Sequence, residues 1–211
     1  MTLEEAIAKI KPLDHNAMEI AQKRWDGIAK PLHSLGKLET LLIQIAGITG
    51  NAEVDLSRRG LIAMCADNGV VEEGVTQTGQ EVTAIVAENF LKYDTSVGVM
   101  CKQNHAEIFP VDMGMVTDTK VRTDHKIAYG TQNMTKGPAM TREQAVKGLE
   151  AGIDMVRELN DKGYRILATG EMGIGNTTTS SAVASVLLKQ PVEEMTGRGA
   201  GLTSEGLVRK I

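Results

Sequence analysis

The residues best suited to chemistry stand in one short run, Gly170-Glu171-Met172-Gly173-Ile174-Gly175-Asn176-Thr177, after an apolar stretch and before Val183, Val186 and Leu187 at helical spacing. A phosphate needs backbone N–H donors that no side chain obstructs, and a helix N-terminus supplies them with about half a unit of positive charge. Gly173, Gly175 and Asn176 stand where such donors belong. The spacing G-x-x-G-x-G is neither the dinucleotide fingerprint nor the Walker pattern, so it favours a monophosphate over a nicotinamide dinucleotide or ATP. A tight turn that needs glycines only for packing reads the same way. Glu171 falls within this loop, at the carboxyl end of a strand, where open α/β sheets bind their ligands. A carboxylate beside a phosphate is repelled unless it serves a positive or proton-releasing centre, such as an oxocarbenium developing at a ribose anomeric carbon. A solvated loop glutamate is the alternative.

Gly197-Arg198-Gly199-Ala200-Gly201 is a second glycine-rich loop, and Arg198 adds a guanidinium fork suited to phosphate or carboxylate. Lys210 falls about two turns into a helix beginning near Thr203, where a solvated surface lysine is the plain reading. Asp67, Asn68 and the Gly69–Gln80 segment lie at the end of an earlier strand and face the same crevice, unless Asn68-Gly69 forms a hairpin-like turn. His15, His33, His105 and His125 share no metal-ligand spacing, and G-x-S-x-G is absent, which removes metallohydrolase and serine hydrolase readings.

The elements that must position these residues follow from periodicity. Residues 1–50 read as helical: Asp14 caps a segment with Met18, Ala21, Trp25 and Ile28 on one face, and Ser34 precedes Leu38, Leu41, Leu42, Ile45 and Ile48. From Leu61 short apolar runs alternate with amphipathic helices, the pattern of βα units and a parallel sheet. The expected strands are 61–66, 106–111 (with Pro110 at a terminus or on an edge) and 164–169. The expected helices carry Val82, Ile85, Val86 and Phe90, then 97–101. A long one follows, with Thr141 and Gln144 as capping box and Ala145, Leu149, Ile153 and Val156 as its stripe. Residues 114–139 show no period, and a loop of that length is a candidate cover for a site. The fold class is therefore α/β, a Rossmann-like parallel sheet flanked by helices, with an N-terminal helical region at 1–56 and an α/β domain at 57–211. Three strands make a thin sheet, and the helix after Thr203 is still open at Ile211, so the domain reads as truncated at its C-terminal end.

Composition narrows the partners. The 211 residues include 23 Lys+Arg and 27 Asp+Glu, a net charge of −4, with no basic block to attract nucleic acid or an anionic membrane. Hydrophobic residues make up 42% and aromatics 3%, with 22 glycines, which suits an aliphatic core and a small-molecule ligand approached by backbone. No apolar run reaches the ~18–20 residues of a membrane span. Cys65 and Cys101 sit alone in apolar segments, as reduced thiols do in a cytoplasmic protein.

Four strings carry a resemblance: PLHSLGKLE at 31–39, Ala66-Asp67-Asn68-Gly69-Val70 with Gly74-Val75 and Glu81-Val82-Thr83, GEMGIGNTTTSS at 170–181, and GRGAGL at 197–202. In this order they resemble the nicotinate-nucleotide:dimethylbenzimidazole phosphoribosyltransferase family. The resemblance implies a homodimeric α/β enzyme of cobalamin biosynthesis that needs no cofactor or metal. It would move phosphoribose from nicotinate mononucleotide to 5,6-dimethylbenzimidazole, giving α-ribazole 5′-phosphate and nicotinate. By the same resemblance the Gly170–Thr178 loop, with Gly173, Ile174, Gly175, Asn176 and Thr177, holds the phosphate and reacting ribose, and Glu171 is its active-site acid. Arg198, Gly199 and Lys210 match positions around the phosphoribosyl group and nicotinate, and Thr76 and Gln80 fall in the base-binding segment. Thr76-Gln77-Thr78-Gly79-Gln80 and Ile85 stand where family members differ, which leaves the acceptor base open. The glutamate assigned as general base belongs to a C-terminal part of the family outside these residues. A nucleotide-binding fragment or interaction module without chemistry is therefore the alternative to the complete enzyme.

Overall fold

The computed structural model describes residues 1–211, which divide into two compact units, Thr2–Arg58 and Arg59–Ile211, the latter together with Met1. In the first unit α1 (Leu3–Ala8) is closed by a Thr2–Glu5 capping box, and α2 (His15–Asp26) is capped by Asp14, whose carboxylate accepts the Ala17 N–H at 2.9 Å. Helix α2 buries Ala17 and Ala21. It packs on α3 (Lys37–Thr49), where a Cβ on Gly47 would stand 2.7 Å from Met18 Cγ, so only glycine permits the approach. Ser34 precedes the second helix without capping it: α3 starts after Gly36, which takes φ +55, and Ile28 lies beyond the end of α2. The intervening turn is built instead around buried Glu39, whose carboxylate accepts the Leu35 N–H at 3.1 Å and lies 2.8 Å from Lys30 Nζ. The lysine first, and then the amide against the opposing pull of burial, hold Glu39 below the usual carboxylate range.

The second unit is a three-stranded parallel sheet in the order β2-β1-β3, formed by β1 (Arg59–Ala66), β2 (Ala106–Gly114) and β3 (Ile166–Met172). Its helices are α4 (Glu81–Lys92), α5 (Ser96–Gln103), α6 (Arg142–Asp161), α7 (Asn176–Leu188), α8 (Val192–Met195) and α9 (Ser204–Lys210). The central strand alternates. Ala63 and Cys65 join Ala84, Ala87, Phe90, Met115 and Val121 on one face, while Ile62 joins Val111, Met155, Leu159 and Tyr164 on the other. The Phe109 and Tyr164 rings meet edge to face at 5.1 Å. Pro110 is accommodated because β2 is an outer strand, where a missing N–H costs no ladder bond on its open side.

Three expectations are corrected. Strand β3 runs to Met172 rather than stopping at Thr169, so Glu171 is a strand residue paired with Met64, not a loop residue. In α6 the buried face is Ala151, Met155 and Leu159, while Leu149 and Val156 of the expected stripe are exposed. Val183, Val186 and Leu187 of α7 and Ile85 of α4 are likewise exposed, and α4 instead buries Thr83, Ala84, Ala87 and Phe90. Residues 115–139 fold back along β2. The Asp112 N–H reaches the Arg122 carbonyl at 2.8 Å and the Thr131 N–H the Asp67 carbonyl at 3.0 Å, and buried Asp112 accepts the Gly114 and Met115 N–H groups. This segment packs on the 67–69 turn, where a Cβ on Gly69 would come 2.5 Å from the Gln132 backbone.

Candidate functional site

A cavity of about 390 Å³ opens at the carboxyl end of β3, between the 75–78 segment, the β3–α7 turn, the 198–202 loop and Lys210. Open parallel sheets place ligands at this end because the strand-to-helix turns leave helix N-termini facing the crevice. The turn is compact because Gly173 and Gly175 have no side chains. A Cβ on Gly173 would collide with the Ala66 carbonyl oxygen, and Gly175 takes φ +94 with Asn68 and Val71 side-chain atoms 3.1 Å from where a Cβ would sit.

The amides of the turn are not equivalent. The Ile174 N–H donates to Thr83 Oγ1 at 3.0 Å and the Asn176 N–H to the Gly173 carbonyl at 3.1 Å, so neither faces an incoming anion unengaged. Asn176, placed by its sequence position among the candidate amide donors, contributes mainly through its side chain. Its Oδ1 accepts from Asn68 Nδ2 at 2.7 Å, and its Nδ2 donates to the Glu171 carboxylate. Asn68 Nδ2 also reaches the Ile174 carbonyl at 2.9 Å, and Gln80 Nε2 donates to the Asn68 carbonyl at 3.0 Å. Glu171 is thus oriented by a neutral amide relay.

Lys210 is buried, against the plain expectation of a surface lysine. Its ammonium donates to Thr177 Oγ1 at 2.8 Å and to the Gly197 carbonyl at 3.0 Å, and no carboxylate lies within ion-pair distance. Burial pulls its proton affinity down from the ordinary lysine value. Gly199, at φ +57, makes room for this arrangement: a Cβ there would stand 2.6 Å from Thr177 Oγ1 and 3.2 Å from Lys210 Nζ. Arg198 spends its guanidinium within its own loop, donating to the Leu202 carbonyl at 2.8 Å and to Ser204 Oγ at 3.1 Å. The loop is tied to the 75–78 segment by Gln77 Nε2, which donates to the Gly201 carbonyl at 2.5 Å, and α9 is tied beside it by Arg209, which donates to the Gly74 carbonyl at 3.3 Å.

Of the residues singled out in the sequence, Glu171, Gly173, Ile174, Gly175, Asn176, Thr177, Arg198, Gly199, Lys210 and Thr76 line the cavity together. Asp67, Asn68 and Gln80 stand outside its lining. Asn68 and Gln80 support the turn, and Asp67 is buried with its carboxylate accepting the Val116 N–H at 2.8 Å. Val75, Gln77 and Thr78, from the segment expected to face the crevice, line the cavity as well, as does Val82 of α4, and Thr83, given no role by the sequence, supports it from the same helix. A polar residue within the apolar stripe of α4 was the available signal for Thr83. No group of three or more His, Cys, Asp and Glu is placed to hold a metal ion. A desolvated cation, an open helix N-terminus and a carboxylate on one cavity suit a monophosphate attached to a centre that gains positive charge.

An α/β domain with a cavity at a strand–glycine–helix turn, lined by a buried lysine and a glutamate, is the class that fold and geometry define. The chain matches the family model described as Phosphoribosyltransferase over residues 10–211 and belongs to that family. It is 51% identical over its whole length to the nicotinate-nucleotide--dimethylbenzimidazole phosphoribosyltransferase of Ruminiclostridium cellulolyticum and 46% identical over 99% of its length to that of Clostridium tetani. Its structure is similar to that of CobT from Thermus thermophilus, with a TM-score of 0.85 at 36% identity over 92% of this chain. The chain spans about 60% of the length of these relatives, 60% of the first, 58% of the second and 60% of the solved structure.

Proposed function

We propose that the chain carries the phosphoribosyl half of a transfer from nicotinate mononucleotide to 5,6-dimethylbenzimidazole, yielding α-ribazole 5′-phosphate and nicotinate for the lower ligand of cobalamin. One observation carries this reading: the buried Lys210 ammonium has only neutral partners and faces a cavity that the glycine turn and Glu171 share. The names of the relatives supply the base and the nucleotide. In this reading Lys210, Gly199 and the open amides of α7 hold the 5′-phosphate, and Glu171, held by Asn176, stands beside the anomeric carbon as the C–N bond to nicotinate lengthens. Arg198 closes its loop, and Thr76 lines the side from which the base approaches. The acting form is a cytoplasmic homodimer; the exposed Val183, Val186 and Leu187 of α7 support a contact surface, and no helix is long and apolar enough to cross a membrane.

Glu171 is the one carboxylate among the residues lining the cavity, and its carboxylate already accepts from Asn176. This favours a second reading in which these residues bind the nucleotide and leave deprotonation of the base to another segment. Nicotinate release from nicotinate mononucleotide, measured with and without dimethylbenzimidazole, separates the two. Base-dependent release supports transfer, and uptake of nucleotide without release supports the second. In a protein that shows transfer, Glu171→Gln is expected to lower kcat by at least tenfold while leaving the nucleotide Kd within about threefold; equal losses in both would refute the role beside the anomeric carbon.

A further inference from the structure

The Ile174 residue is held on both sides by groups that lie outside the cavity. Its N–H donates to Thr83 Oγ1 at 3.0 Å, and its carbonyl accepts from Asn68 Nδ2 at 2.9 Å. Thr83 belongs to the buried face of α4 and has no exposed surface, so its hydroxyl cannot touch a ligand in the cavity. The two peptide units flanking the Ile174 Cα are thereby fixed, and with them its φ and ψ. The next residue, Gly175, takes the left-handed φ of +94 from which α7 begins. Which amides face the cavity is consequently set from beneath. The Ile174 N–H is drawn down towards α4, and the Gly175 and Thr177 amides, which have no acceptor within the chain, are left for the ligand.

We infer that Thr83 is a positioning residue for phosphate capture: its buried hydroxyl anchors the Ile174 amide and so aims the open amides of the β3–α7 turn at the ligand. The inference rests on the phosphoribosyl reading above, which assigns the turn to the phosphate but gives Thr83 no part. Its residue type is suited to the task. A threonine hydroxyl supplies an acceptor on a helix without a long side chain, and its compact β-branched body suits a position that α4 buries completely. Valine has nearly the same shape and no acceptor, and serine keeps the hydroxyl, so the two substitutions separate hydrogen bonding from packing.

The test compares the unaltered chain with Thr83→Val and Thr83→Ser by two measurements. The first is amide hydrogen exchange at Ile174, with Ile62 of β1 as internal control. The second is the Kd for nicotinate mononucleotide by calorimetry. Thr83→Val is expected to speed exchange at Ile174 by tenfold or more with Ile62 unchanged, and to raise the Kd by about tenfold; Thr83→Ser is expected to restore both. Faster exchange with an unchanged Kd overturns the positioning role, and unchanged exchange overturns the anchor itself. Loss of affinity in Thr83→Val that serine does not rescue also overturns it, because packing then accounts for the effect. If the unaltered chain takes up no nucleotide, the phosphoribosyl reading fails and the positioning role with it. Binding that ignores Thr83→Val removes the positioning role alone.

Discussion

Replacing Lys210 by methionine separates binding from folding with opposite signs. The ammonium is buried and partnered only by Thr177 Oγ1 at 2.8 Å and the Gly197 carbonyl at 3.0 Å, so its desolvation is a cost of the fold itself. At an effective dielectric of about 20, opposite unit charges about 4 Å apart attract by about 4 kcal/mol, and a charge-assisted hydrogen bond contributes about 1.5–3 kcal/mol net. Removing the ammonium should therefore cost about 2–4 kcal/mol of phosphate affinity, roughly 30- to 1000-fold in the Kd for nicotinate mononucleotide. Folding should respond differently, because a methionine of similar length relieves a buried charge that no carboxylate offsets; the thermal midpoint is expected to hold or rise. Calorimetric titration and thermal unfolding of the same samples read both quantities. The lysine value is lowered from 10.5 by burial, so the unfolded chain binds this proton more tightly and stability rises with pH between the lowered value and 10.5. A bound phosphate restores the proton affinity, so nucleotide affinity should fall as pH climbs through the lowered value. A Lys210→Met chain that binds as tightly as the unaltered one would refute the reasoning. So would one that loses stability in proportion to affinity.

Gly199→Ala should act on the same anion site without touching its charge. The new Cβ stands 2.6 Å from Thr177 Oγ1 at a φ of +57, a conformation that costs an L-residue about 1–2 kcal/mol, so affinity for the nucleotide is expected to drop about tenfold by calorimetry. Away from the site, Glu158 is held at about 2 by Arg122, 2.7 Å away, and then by Lys162, 2.6 Å away. Because the folded value lies below the ordinary 4.5, the stability it contributes is complete above about 4.5 and is lost as pH falls through about 2. Glu158→Gln should accordingly lower the thermal midpoint at pH 7, and the gap to the unaltered chain should close in acid.

What the sequence conveys and what it withholds have physical causes in particular residues. The capping box at Thr141, the cap at Asp14 and the strand-to-glycine transition at 170–175 are local, since each signal and its structural consequence lie within a few residues. The buried face of α6 is not local. Ala151, Met155 and Leu159 form one apolar row and Leu149, Ile153 and Val156 another, and only the sheet surface of Ile62 and Val111 selects the first. In α4 the larger Ile85 stays outside while Ala84 and Ala87 go in, because the helix lies close enough to β1 that small side chains fill the space. The cavity residues Gly173 to Thr177 were legible because a backbone ligand site requires glycine. The burial of Lys210 was not, because it depends on the 197–201 loop folding over Thr177, a contact between segments far apart in the chain.

The two charges that share the cavity are each satisfied by neutral groups. Glu171 accepts from the Asn176 amide, Lys210 donates to a hydroxyl and a carbonyl, and no ion pair joins them. Had they paired, each would have cancelled the field that the other presents to a ligand, and a phosphate would have had to break that pair before binding. Dipoles orient a charge without neutralising it. In the proposed reading the lysine thus remains available to an anion and the glutamate to a centre that becomes positive only as a bond breaks. Asn176 makes this possible from one position: its Oδ1 is tied to Asn68, so its Nδ2 alone faces Glu171. An aspartate there would keep the shape and lose the donor, setting a second anion beside Glu171 at the mouth of the proposed phosphate site, so Asn176→Asp is expected to weaken nucleotide binding measured by calorimetry.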